Sequence, residues 1–222
     1  MKLSETLYAG AIDLWREAAD KPFVREMVTG GLDPGLFRNY MLQDYLYLLD
    51  YIDTLRLIRE QTDDDQLRDF LLKVIAETEN ETYRVHLPHL KEIGVSDEEI
   101  AGAVRTPVII EYMGYMRRQV REHGFLAGLT ALLQCSWLYA YIGERMSAEH
   151  PGEITASPYK FWFDAYTCSE YIEANQMWID TLDHEAEGAG SETVSALKDI
   201  FTKCAGYENR LWEELYGYAD HS

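Results

Sequence analysis

The chain has 222 residues, 47% of them hydrophobic and 13% aromatic, with 39 acidic against 20 basic side chains and a formal net charge of −19. That apolar mass suffices for a buried core and excludes a disordered chain, while the acidic field opposes a nucleic-acid backbone or an anionic membrane surface. The three cysteines, Cys135, Cys168 and Cys204, form no close-spaced pair, so neither a disulfide framework nor a zinc site is expected, and a reducing cytoplasm fits.

The opening MKLSETLYAG holds one lysine and soon turns amphipathic, with no apolar run and cleavage site of the kind a signal peptide carries. No uninterrupted apolar stretch approaches the roughly 20 residues of a membrane helix. Helical periodicity runs almost throughout. Ser4 is expected to cap a helix reaching about Ala19, and Pro22 opens a short second one that ends at Gly30-Gly31. Asp33-Pro34 places an N-cap before a proline at the first helical position, starting a helix to about Gln61. A helix over 66–92 stops at Gly94, and Ser96 begins a short one. Pro107 to Glu122 follows, ended by His123-Gly124, and 125–147 is apolar on nearly every side, the mark of a central helix. Pro158 to about Ala186 and Ser191 to about Tyr218 complete the set, with GAGSE at 188–192 as a loop. No strand-like alternation lasts long enough to build a sheet. The expected architecture is one all-α domain over 1–222.

Two acidic residues interrupt apolar stripes. On the helix begun by Asp33 the stripe runs Phe37, Tyr40, Met41, then Tyr47, Leu48, Tyr51, Leu55 and Ile58, and Asp44 fills its gap. Helical spacing turns that carboxylate inward between Tyr40 and Tyr47, at a cost of several kcal/mol unless a donor meets it. On the last helix the stripe is Leu197, Ile200, Phe201, Cys204, Leu211, Trp212 and Leu215, and Glu208 takes the missing turn. The central helix places Cys135 among Leu133, Leu138 and Ile142, with Tyr139 one turn on. Taken singly, each has an ordinary explanation: an inward acid accepts from a tyrosine or arginine, and a buried thiol is a small hydrophobe. Two inward acids, one thiol and several polar-tipped rings in a single helical domain suit a flat heterocycle, on which rings stack while a carboxylate holds an amino group.

These positions carry a resemblance to the TenA family, the thiaminase II or aminopyrimidine aminohydrolase proteins of the helical heme-oxygenase-like fold. It spans LWREAADKPFV at 14–24, FRNYMLQDYLYL at 37–48, YMGY at 112–115, QCSWLYAYIG at 134–143, YKFWFDAYTCSEY at 159–171 and YENRLWEELY at 207–216. The resemblance implies that Asp44 holds the aminopyrimidine edge and Tyr47 stacks on the ring, with Tyr112 and Tyr166 facing the same site. It makes Cys135 the nucleophile, with Tyr139 a turn beyond it, and Glu208 the acid and base. It also implies a homotetramer. Three positions depart from the family pattern: Gln134, where proline is common; Tyr141, where glutamate is frequent; and Leu211, where an aromatic precedes Trp212.

The expected reaction is hydrolysis at the methylene of an aminopyrimidine, releasing hydroxymethylpyrimidine from the aminomethyl compound or from thiamin. No Lys or Arg lies within 125–142 to activate the thiol, so its proton must pass to a neighbouring base or to the substrate. No metal and no cofactor is expected. A heme role is disfavoured because the first histidine is His86, far from the N-terminus. A diiron oxidase would need carboxylates and histidines facing one another; Asp180 with His184, or Glu79 or Glu81 with His86, are its available donors, and all are read as a solvated helix face. A pyrimidine-binding protein without turnover is the non-enzymatic alternative.

Overall fold

The computed structural model describes residues 2–217, of which the helices make up nearly all; the chain is 86% helical, with no strand among the described residues. It divides into two compact units, one of residues 2–32 and 129–217, the other of residues 33–128.

The first unit contains α1 (Leu3–Ala19), α2 (Pro22–Thr29), the second part of α7 (Pro107–Glu149), α8 (Pro151–Ala156), α9 (Lys160–Thr167), α10 (Ser169–Glu185) and α11 (Ser191–Tyr216). Its centre is α1 on α11: Leu7, Ala11, Trp15 and Ala18 are fully buried on one side, and Leu197, Phe201, Cys204 and Ala205 are buried on the other. Gly30 closes α2 at φ 76°, a left-handed conformation that glycine adopts without a Cβ penalty. Two sequence expectations fail here. Ser4 does not cap α1; Lys2 does, its N–H donating to the Glu5 carboxylate at 3.0 Å. Ser4 lies inside the helix, where its N–H and hydroxyl both donate to Asp183 of α10, at 2.8 and 2.7 Å. The expected single helix over 158–186 is two, parted at Cys168, whose backbone is extended (ψ 151°). The hydroxyl of Thr167 bonds back to the Phe163 carbonyl at 2.8 Å, the side-chain competition with the backbone ladder that weakens a helix end.

The second unit contains α3 (Pro34–Arg59), α4 (Asp65–Glu81), a π-helical turn (Thr82–His86), α5 (Leu87–Glu92), α6 (Asp97–Gly102) and the first part of α7. Asp33 caps α3 as its spacing predicts, Oδ1 accepting from the N–H of Gly35 at 2.7 Å. Ser96 and Glu99 exchange bonds at the start of α6, a capping box. The helix expected over 66–92 is interrupted by the π turn. Pro88 explains it: a proline offers no N–H and its ring crowds the carbonyl four residues back, so the ladder widens just before it. α3 packs on α4, the π turn and α5.

α7 runs through both of the expected helices, broken only at Gly124, whose φ of 78° and ψ of −161° are non-helical. No uninterrupted apolar run is present, yet over an 18-residue window α7 is apolar enough to span a membrane by length and composition, because Gly, Ser, Gln and Tyr interrupt the run without adding charge. Of that window 67% is buried, as in a core helix.

Candidate active site

Asp44, Tyr47 and Tyr112 belong to the second unit. Tyr40, Tyr47 and Tyr51 are buried along α3, and the Tyr47 ring meets Tyr51 and, on α7, Tyr112, each with centroids 5.9 Å apart. Two of the expected ring-contacting tyrosines are thus brought together. Asp44 points inward on the same helix, its side chain only 10% exposed. The donor that this burial demands is His86, whose Nε2 lies 2.7 Å from Asp44 Oδ2. A carboxylate can only accept, so Nε2 carries the proton in this bond.

His86 is therefore no part of a solvated face. It sits at the end of the π turn, and Thr82, His86 and Leu90 are all buried at four-residue spacing. A four-residue step overshoots the 3.6-residue turn of an α-helix, and the wider turn restores the three to one side. Burial lowers the proton affinity of His86, but the Asp44 hydrogen bond and charge, the charge of Glu81 and the Glu81 carbonyl outweigh it and raise the imidazole above its ordinary value of 6.5. Burial raises the Glu81 carboxyl, with His86 pulling it down and Asp44 pushing it up. Glu79, by contrast, pairs at the surface with Arg56. The sequence signal for the His86 contact was Pro88, which dictates the turn that aims it.

A second inward acid on α3 escaped the sequence reading. Asp50 is buried and receives Arg105 and, at 2.7 Å, Arg117, whose Nη2 also reaches the Asp50 carbonyl. Nearby, Gln43 accepts from the Thr106 N–H and donates to the Val104 carbonyl, both at 3.0 Å, tying α3 to the start of α7.

Cys135, Tyr139, Tyr166 and Glu208 belong to the first unit. Cys135 is half-buried on α7, and Glu208 is 1% exposed on α11. Each lies one turn before an aromatic residue, Tyr139 and Trp212, and those two rings meet at 5.7 Å. Tyr139 also packs on Tyr166 at 5.0 Å and on Trp162 at 5.7 Å. Tyr171 stands edge-on to Tyr166, and its hydroxyl donates to the carbonyl of Ser136, the residue after the thiol, at 3.1 Å. Of the departing positions, Gln134 is fully buried, Tyr141 packs against Trp15 at 5.4 Å and Leu211 is buried.

Asp180 and His184 are exposed as expected, on the rim of a surface cleft of about 560 Å³ that also touches Lys2, Asp183 and Glu187 and contains none of the expected site residues. Among the described residues no group of three or more His, Cys, Asp or Glu side chains is arranged to hold a metal.

The description of one protein family, TENA/THI-4/PQQC, matches residues 10–218. The aminopyrimidine aminohydrolase of Halalkalibacterium halodurans is 30% identical, the match covering 97% of this chain and 96% of that protein. Those of Helicobacter pylori and Bacillus subtilis are 27% and 26% identical, over 99% and 93% of their lengths and 97% and 99% of this chain. Among solved structures, a TenA homologue from P. horikoshii OT3 superposes with a TM-score of 0.87 at 24% identity, covering 97% of this chain and 99% of that one. A TenA homologue from Pyrococcus furiosus does so at 0.84 and 21%, covering 96% and 99%. At these identities the two structures bear on the fold.

Proposed function

Because the chain belongs to the TENA/THI-4/PQQC family, we propose that it is an aminopyrimidine aminohydrolase, which cleaves the carbon–nitrogen bond between an amine and the methylene of an aminopyrimidine. The observation that carries this is the match to three proteins of that name, over 97%, 97% and 99% of this chain. The preferred substrate is 4-amino-5-aminomethyl-2-methylpyrimidine, with thiamin as a second, so that the enzyme serves thiamin salvage.

Asp44 accepts from the amino group of the ring and fixes its orientation, and Tyr47, Tyr112, Tyr139 and Tyr166 contact the ring faces and edges. Cys135 adds through sulfur to the ring carbon beside the one that bears the methylene, and Glu208 delivers a proton to a ring nitrogen. The electron pair gained by the ring then expels the amine, whose nitrogen takes the proton released by the Cys135 thiol and leaves as ammonia, and an exocyclic carbon–carbon double bond remains. Water adds to that carbon and gives a proton to Glu208. Departure of sulfur, which takes back a proton from the ring nitrogen, restores the aromatic ring and the thiol and frees hydroxymethylpyrimidine. Neither a metal nor a cofactor takes part. The active form is a cytoplasmic homotetramer, checked by light scattering coupled to size exclusion.

The test is a side-by-side product assay with the aminomethylpyrimidine and thiamin. Hydroxymethylpyrimidine appears with ammonia from the first and with the thiazole from the second. Calorimetric binding of the aminomethylpyrimidine without any product on long incubation would instead establish a binding protein.

A further inference from the structure

His86 is buried and bonded to the acid that holds the ring in the proposed reaction, yet that reaction gives it no part. The side chains of His86 and Asp44 are 9% and 10% exposed, and they meet across α3 and the π turn, 42 residues apart in sequence. The turn is a local irregularity in an otherwise α-helical segment, of the kind that π turns commonly supply at functional sites. Its effect is specific: it returns residue 86 to the side that α3 occupies, where Asp44 is waiting. A free aspartate side chain rotates about two bonds, and its two oxygens are equivalent. With Oδ2 held by an imidazole that the backbone itself has aimed, the carboxylate plane is set and Oδ1 is the oxygen presented to a ligand.

We propose that His86 is a positioning residue for the aminopyrimidine: its Nε2–H locks Asp44 Oδ2 so that Oδ1 meets the amino group of the ring. The proposal rests on the assignment of Asp44 as the ring-holding acid. His86 touches neither the ring nor the scissile bond, and it contributes to binding and alignment through Asp44 alone.

Steady-state kinetics on the full-length protein with the aminomethylpyrimidine test this. His86→Leu keeps the bulk and removes the donor; it raises KM roughly tenfold while kcat changes less than about threefold. His86→Gln restores an N–H donor and recovers most of the loss. In an Asp44→Ala background the His86→Leu change has no further effect, the non-additivity that a shared role requires. The imidazole Nε2–H proton, followed by NMR in protein labelled with ¹⁵N-histidine, shifts upfield in Asp44→Asn, a readout that does not depend on any His86 variant folding. An unchanged KM in folded His86→Leu, a penalty of equal size with and without Asp44, or a resonance indifferent to Asp44→Asn would overturn the proposal. A wild-type protein that turns over neither the aminomethylpyrimidine nor thiamin overturns the proposed function and this role with it; an active wild type with additive variants overturns the role of His86 alone.

Discussion

Tyr139 on α7 and Tyr166 on α9 stand edge to face, ring centroids 5.0 Å apart with planes at 64°. Trp162, Tyr171 and Trp212 extend this contact into one aromatic group on four helices of the first unit. Aromatic pairs in this geometry favour the packed state beyond the area they bury. The rings thus hold the helices that carry Cys135 and Glu208.

Tyr166→Phe separates packing from the proposed substrate contact. The ring stays, so the melting temperature changes by less than about 2 °C, whereas loss of the hydroxyl proposed to contact substrate lowers kcat/KM on the order of tenfold. Calorimetry beside steady-state kinetics checks it. A fall in both by similar degrees would make Tyr166 a packing residue only.

Cys135→Ser keeps the size of the side chain and removes the proposed nucleophile. Turnover falls by on the order of a thousandfold or more, while the aminomethylpyrimidine still binds with a dissociation constant within about threefold of wild type. Isothermal titration and a stopped product assay read the two quantities. Wild-type turnover in this variant would discard covalent catalysis.

Glu208→Gln removes the proposed proton carrier and retains the shape of a side chain that is almost wholly buried. A general acid and base contributes about 10²–10⁴-fold, so kcat drops within that range with KM little changed. A pre-steady-state scan should then show the adduct at Cys135 accumulating more slowly as well, since ring protonation accompanies sulfur addition.

The pH dependence of stability follows from His86. Its folded-state proton affinity is raised, through Asp44 on α3 and Glu81 on α4, which face it. A group raised by folding stabilises fully below its unfolded value, near 6.5 here, and the contribution is lost as pH climbs through the folded value. Glu81, raised by burial, acts in the same direction from its ordinary 4.5 upward. Urea unfolding at pH 6 and pH 9 therefore gives a wild-type advantage over His86→Gln that is larger at pH 6. Glu81→Gln lowers the His86 titration midpoint seen by NMR, because one of the charges that raised it is gone.

Asp50 anchors two arginines, and its removal leaves both without their carboxylate. Breaking fully buried ion pairs costs about 3–5 kcal/mol; with Arg105 and Arg117 34% and 28% exposed, Asp50→Ala costs less, about 2–3 kcal/mol, read as a lowered urea midpoint. A change under about 0.5 kcal/mol would mean that the pairs are solvated in solution.

The elements readable in the sequence are those whose causes lie within a few residues. Asp33-Pro34, Gly30, the Ser96 capping box and the break at Gly124 all work through groups at most a turn away, and each stands where its spacing puts it. The inward side of Asp44 and Glu208 was legible for the same reason, since 3.6-residue periodicity is local. The assignments of catalytic roles came from resemblance across the six quoted stretches, not from any one of them.

Tertiary structure decided what depends on distant partners. The sequence shows Ser4 as a capping residue, and Asp183, 179 positions away, turns it into a buried link between helices. It shows His86 on a polar stretch of helix, and a π turn ahead of Pro88 brings it to Asp44. It shows Asp50 as one more acid on α3, and Arg105 and Arg117 make it an ion-pair centre. In each case the local pattern states which groups need a partner, because burying an unpaired polar group is costly, but only the packing of one helix against another selects which partner meets it.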